Sequence, residues 1–106
     1  MSATPQAFGL DHSVIDRIKD VLGQFPEIER AVIYGSRAKG TYKPGSDIDL
    51  SLVGKAITED KLLRLENRLD DLMLAYEIDI NRFDILQNEA LIEHIKRVGQ
   101  VFYEPA

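Results

Sequence analysis

The stretch Gly35-Ser36-Arg37-Ala38-Lys39-Gly40-Thr41-Tyr42-Lys43-Pro44-Gly45-Ser46-Asp47-Ile48-Asp49 decides how this chain is read. It is preceded by Ala31-Val32-Ile33-Tyr34, a continuous apolar run that predicts a buried strand over Arg30 to Tyr34, ended by Gly35. Ser36 to Lys39 is long enough for one helical turn. Thr41 to Ser46 reads as a loop, with Pro44-Gly45 as its turn signal. From Asp47 to Val53 the pattern alternates. Ile48, Leu50 and Leu52 share one face, and Asp47, Asp49 and Ser51 share the other. A turn suited to phosphate thus lies close to a carboxylate pair suited to a divalent cation, and together they point to a metal-nucleotide complex.

The carboxylates carry the stronger chemistry. Two carboxylates about 4–5 Å apart repel by several kcal/mol at an effective dielectric near 20. A fold tolerates that more readily when a cation sits between them. A rigid strand fixes the pair as a metal site requires, and ligands that are all oxygen favour Mg²⁺, with Mn²⁺ as the alternative, over zinc. A third carboxylate would complete a two-metal site. Asp79 is the first candidate, central in a predicted strand over Glu77 to Asn81, and Glu77 shares its parity and stays open. Asp84 has the opposite parity and falls past that strand. Taken alone, an Asp-x-Asp is more often a polar strand face than a site. An EF-hand is excluded, because Leu52 and Thr58 stand where its loop needs Gly and Glu.

On the turn, Gly35 permits close approach of backbone to a ligand. Ser36 supplies a hydroxyl, and the amides of a helix N-terminus favour phosphate oxygens. Arg37 and Lys39 add charge that would meet phosphate or ribose, and Ser46, which closes the loop just before Asp47, is a further candidate for nucleotide binding. A P-loop is excluded, since Gly40 is followed by Thr41-Tyr42 rather than Lys and Ser or Thr.

Around this centre the chain reads as one domain of 106 residues. Residues 1–9 are expected to be a flexible tail and 10–106 the domain. Ser13 is the expected cap of a first helix whose apolar positions are Val14, Ile15, Ile18, Val21, Leu22 and Phe25, with Gly23 and Pro26 at its end. Thr58 would cap a second long helix with the stripe Leu62, Leu65, Leu69, Leu72 and Met73. Asn88 would cap a last one with Leu91, Ile92, Ile95 and Val98, and Val101-Phe102-Tyr103 would add a short strand. The expected architecture is α/β (α+β), a small mixed sheet with helices packed on it. His94, among Glu93, Lys96 and Arg97, reads as a surface residue, and Tyr34 as core.

A net charge of −5 argues against broad nucleic-acid binding, which needs Lys and Arg to displace counterions. It leaves nucleotides open, because a bound cation inverts the local sign. There are no cysteines, no apolar run of membrane-spanning length and no signal-peptide pattern at the start, so a cytoplasmic location is the default expectation. A chain this short has little room for a second substrate-closing domain. The remainder of an active site would come from a partner or a second copy.

The combination Gly-Ser-Arg-Ala-Lys-Gly (35–40), Ser-Asp-Ile-Asp-Leu (46–50) and Tyr-Glu-Ile-Asp-Ile (76–80) resembles the signature of the DNA polymerase β-like nucleotidyltransferases, and specifically their minimal (MNT) members. The resemblance runs from about Ile15 to Tyr103. It implies the nucleotidyltransferase fold, ATP as substrate and two Mg²⁺ ions. Gly35 and Ser36 match the residues that hold the nucleotide's terminal phosphates, Asp47 and Asp49 the metal-binding pair, and Asp79 the third carboxylate that activates the acceptor hydroxyl. It further implies an antitoxin that transfers AMP to a tyrosine of a HEPN-domain ribonuclease toxin encoded beside it. Two other readings are set against this one. In the first, a binding module masks the partner without catalysis. In the second, the nucleotidyl group goes to a small molecule. Homo-oligomerisation is a further expectation consistent with the small size.

Overall fold

A computed structural model describes residues 6–105. Of the tail expected over 1–9, residues 1–5 lie outside the described residues, whereas Gln6–Ala7 (β1) pair antiparallel with Leu10–Asp11 (β2) as a tight hairpin. Its two turn residues, Phe8 and Gly9, both have positive φ (59° and 72°), the signature of the turn that matches strand twist. Leu10 is fully buried, so the domain's core begins there.

The first helix, α1 (His12–Leu22), starts two residues earlier than its sequence suggests. Asp11 occupies the cap position and Ser13 lies inside the first turn, without the capping role expected of it. Ile15, Ile18, Val21 and Leu22 are its buried face, continued by Phe25 and Ile28. Then follow β3 (Arg30–Tyr34), the short α2 (Gly35–Lys39) and β4 (Ile48–Val53). Helix α3 (Glu59–Asp70) is capped as expected, Thr58 accepting the Lys61 N–H at 3.2 Å. Its stripe ends at Leu72, which is half-buried. Met73, expected in the stripe, follows the helix in a left-handed conformation (φ 54°) and is 87% exposed. The third strand of the sequence reading is β5 (Ile78–Arg82), shifted one residue from its expected bounds. A single 3₁₀ turn (Phe83–Ile85) leads to α4 (Glu89–Val98), whose cap Asn88 accepts the Leu91 N–H at 3.1 Å, and to β6 (Gln100–Tyr103).

The four longer strands form a mixed sheet in the order β5-β4-β3-β6. β3 runs antiparallel to both β4 and β6, while β4 and β5 are parallel, joined by the α3 crossover. One face of the sheet carries Ala31, Ile33, Leu50, Leu52 and Phe102, all buried in one cluster with α1 and α3. The opposite face carries Val32, Tyr34, Asp49, Ser51, Asp79 and Asn81. Helix α4 covers only part of it. Asp79 is left exposed while Ser51 is fully buried.

Candidate active site

Sheet register assembles the site. Tyr34 of β3 pairs with Asp49 of β4, and Asp49 pairs with Asp79 of β5, so the three side chains form a row across the uncovered face. One residue pair deeper, Val32, Ser51 and Asn81 form the next row. Asp47 sits just before β4, exposed. Asp79, rather than Glu77, is the carboxylate opposite Asp49. Glu77 is exposed and uses its carbonyl to accept the Ile48 N–H at 2.9 Å. Asp84, as its parity predicts, points elsewhere and accepts the Gly54 N–H at 2.8 Å.

Electrostatics follow from this packing. The Asp49 carboxyl is raised above its ordinary value, first by burial, then by the charges of Asp79 and Asp47, with His94 pulling the other way. Burial also raises the Tyr34 hydroxyl, with Asp49 adding to the effect. That hydroxyl accepts a hydrogen bond from Asn81 Nδ2 at 2.8 Å, while Asn81 Oδ1 accepts one from the Ser51 hydroxyl at 2.5 Å. A polar chain thus runs from the sheet interior to the base of the carboxylate row. The Tyr34 ring lies edge-on to the His94 ring, centroids 6.1 Å apart. His94 therefore belongs to this side of the molecule, not to the solvent face its charged neighbours suggest.

Gly35 begins α2 directly beside Asp49. Its φ is +73°, and a Cβ there would stand 2.5 Å from Asp49 Oδ2. Both the backbone conformation and the space require glycine. The result is close contact between the Gly-Ser turn and the metal-type carboxylate, with the first-turn amides of α2 free of intrahelical partners. Lys39 is exposed at the other end of α2.

Arg37, expected to meet phosphate or ribose, is buried. It is 2% exposed. Its Nε and Nη2 donate to the Ser46 carbonyl at 3.0 and 2.8 Å, and its Nη1 donates to the Phe8 carbonyl at 2.9 Å. Its guanidinium also lies over the rings of Tyr42 and Tyr76, 5.2 and 4.9 Å from their centroids. With its donors engaged this way, Arg37 is a clamp that ties the N-terminal turn and the loop before Asp47 to α2. Ser46 is drawn into the same loop, its hydroxyl accepting the Lys43 N–H at 2.8 Å.

Among the described residues no three acidic, histidine or cysteine side chains close around one ion position. The donors present still fit a divalent cation delivered with its nucleotide. Mg²⁺ keeps several waters and takes one or two carboxylates together with substrate phosphates instead of a full protein cage. The raised Asp49 carboxyl is the mark of a carboxylate row that a cation would relieve.

Residues 16–106 match the description "Polymerase beta, Nucleotidyltransferase". The chain belongs to the polymerase β nucleotidyltransferase family. No curated protein matches it in sequence. In shape it is similar to a chain of a toxin–antitoxin complex crystallised with AMP-PNP, with a TM-score of 0.69, 17% identity, 86% of this chain covered and 73% of the other. It is also similar to a chain of the tri-AMPylated Shewanella oneidensis HEPN toxin in complex with MNT antitoxin, with a TM-score of 0.65, 14% identity and coverages of 88% and 71%. A nucleotidyltransferase-type structure from Sulfolobus solfataricus matches at 0.51 and 24% identity, covering 85% of this chain and 76% of that one. These likenesses establish the nucleotidyltransferase fold expected from the sequence. No helix among the described residues is long and apolar enough to cross a membrane.

The residues that sequence reasoning did not place beside the carboxylate row are Tyr34, Ser51, Asn81 and His94. Parity along β3 already sets Tyr34 apart from Ile33. Only the pairing of β3 with β4, across a loop that fixes no register, places it beside Asp49.

Proposed function

We propose that this nucleotidyltransferase moves AMP from ATP, with Mg²⁺, onto a tyrosine hydroxyl of a HEPN-type toxin and so acts as its antitoxin. The observation that carries the reading is the Gly35-Ser36 turn pressed against Asp49, with Asp79 in register on the far side. Phosphate and acceptor would approach one carboxylate from opposite flanks. The fold likeness to toxin–antitoxin complexes, one with AMP-PNP and one with a tri-AMPylated HEPN toxin, supports the choice of nucleotide and partner.

In this reading Gly35 and Ser36 receive the β- and γ-phosphates at the start of α2, with Lys39 adding positive charge. Asp47 and Asp49 hold the metal, and Asp79 completes the set and takes the acceptor's proton. Bound there, divalent cations would lower the pKa of the attacking hydroxyl and neutralise the triphosphate. The acceptor oxygen forms a bond to the α-phosphorus as the bond to the bridging oxygen breaks, and pyrophosphate leaves. Orientation and fixed charge supply most of the rate. Tyr34, held by Asn81 and Ser51, keeps the floor of the row rigid.

The test is transfer from ATP labelled at the α-phosphate, with Mg²⁺, in a lysate containing the protein encoded beside this chain. Label on that protein with wild type, and none with Asp47→Ala/Asp49→Ala, is the expected result. Neutralisation of the toxin by the double variant, without label, would replace this reading with masking by binding alone.

A further inference from the structure

β5 is the last strand of the sheet on the side of Asp79, and among the described residues no strand pairs with its outer side. Its exposed groups can be assigned. Glu77 directs its carbonyl to β4, where it accepts the Ile48 N–H. Alternation therefore turns the N–H and C=O of Ile78, Ile80 and Arg82 outward. Along this edge runs an open groove of about 400 Å³, bordered by Leu62, Ile80, Arg82, Ile85 and Leu86. Ile85 is exposed there, and the buried Nε of Arg82 has no hydrogen-bond partner among the described residues. Natural sheets guard such an edge with charge, proline or a covering element; this one carries the charges of Asp79 and Arg82, with Arg82 Nη1 3.6 Å from Glu59 Oε1, and no proline, and it lies beside the carboxylate row.

We propose that the outer edge of β5 docks the acceptor polypeptide, which adds to the sheet as an extended strand and so lays its hydroxyl residue beside Asp79. Strand addition draws affinity from main-chain hydrogen bonds and selectivity from alternate side chains. A residue directly opposite Asp79 projects to the same face, with Cβ atoms about 4.5–5.5 Å apart. Asp79 and Asp49 are one strand spacing apart, about 4.8 Å, so a tyrosine laid across β5 carries its hydroxyl to the gap between them. The residues on either side of that tyrosine point to the other face, into the apolar groove against Ile80, Leu62 and Leu86. The acceptor segment is therefore extended, with a hydroxyl residue flanked by apolar ones. The β5 edge of a second copy fits less well, because Ile78-Asp79-Ile80-Asn81-Arg82 contains no Ser, Thr or Tyr to offer as acceptor.

This inference rests on the chain being a protein-modifying transferase, so its test separates the two. Ile80→Pro removes an outward N–H without touching the ladder to β4, the one strand setting in which proline is accepted. The variant is expected to bind ATP with Mg²⁺ as wild type does and to label the HEPN-domain protein at least about tenfold more slowly. In wild type, the Ile80 and Arg82 amides are expected to exchange at least about tenfold more slowly once that protein is bound. Labelling by Ile80→Pro within about twofold of wild type would overturn the proposal. So would Ile80 and Arg82 amides unaffected by the partner, or protected already in the protein alone at high concentration, which would assign the edge to a second copy. Should Ile80→Pro fail to fold, seen as lost ATP binding, the wild-type exchange data decide. Absence of label with wild type would defeat the transferase reading, while protection of the two amides by the partner would still uphold docking at the edge.

Discussion

The two faces of the sheet are built from the same strands by opposite rules. On one face Ile33, Leu50 and Leu52 are wholly buried against α1 and α3, and each adds to stability. One residue away in each strand, Tyr34, Asp49 and Asp79 line up where α4 does not reach, and Asp49 is raised by its surroundings. The alternation of a strand thus places a stabilising residue and a strained one at adjacent positions. The lesson is that the hydrophobic face supplies the rigidity which allows the other face to hold mutually repelling charge.

The sharpest way to break this contrast is to remove charge from the strained face. Asp47→Ala/Asp49→Ala should lower nucleotidyl transfer by about 10³-fold or more, equivalent to about 4 kcal/mol of barrier, while leaving the melting temperature unchanged or higher. Label transfer and thermal melting of the same preparation check both halves. On the buried face the reverse holds. Leu50→Ala should cost about 2–5 kcal/mol of stability, read as a shift in urea midpoint, and any loss of transfer should track the unfolded fraction.

Arg37 sharpens the comparison differently, since it lies in neither face. Arg37→Met keeps the apolar bulk but frees the Ser46 and Phe8 carbonyls. It should cost about 2–3 kcal/mol, as expected for buried hydrogen bonds to a charged group, with weaker transfer because the loop before Asp47 loosens. ATP affinity should change less than transfer. A large selective loss of ATP binding in a stable variant would return Arg37 to the nucleotide.

Much of this was readable in the residues. Val-Ile between Ala31 and Tyr34, the alternation from Asp47 to Val53, and the caps Thr58 and Asn88 announce their elements locally, and those elements are present. Parity narrows the third carboxylate to Asp79 or Glu77, and only the pairing of β4 with β5 sets Asp79 opposite Asp49. What was not readable depends on contacts distant in sequence. Arg37 looks like a phosphate ligand until Phe8 is folded back upon it, 29 residues away. Tyr34 looks like core until register sets it against Asp49, and His94 looks solvated until α4 is laid on β3. The hairpin at Gln6–Asp11 was hidden because its turn uses Phe8 in a left-handed conformation that sequence propensities disfavour.

The central claim, that the acidic row is strained for a metal-nucleotide ligand, is tested most directly by melting wild type and Asp49→Asn with and without Mg²⁺ and AMP-PNP. The sign follows from the raised Asp49 carboxyl. Its folded-state value exceeds the unfolded one, so its favourable contribution is complete at low pH and is lost as pH rises through the folded value. At neutral pH without ligand, Asp49→Asn should therefore melt above wild type, by the equivalent of at most about 1 kcal/mol at a half-exposed site. With Mg²⁺ and AMP-PNP the order should reverse, because only wild type gains binding free energy. An unliganded Asp49→Asn that melts below wild type, or equal stabilisation of both proteins by the ligand, would contradict the account.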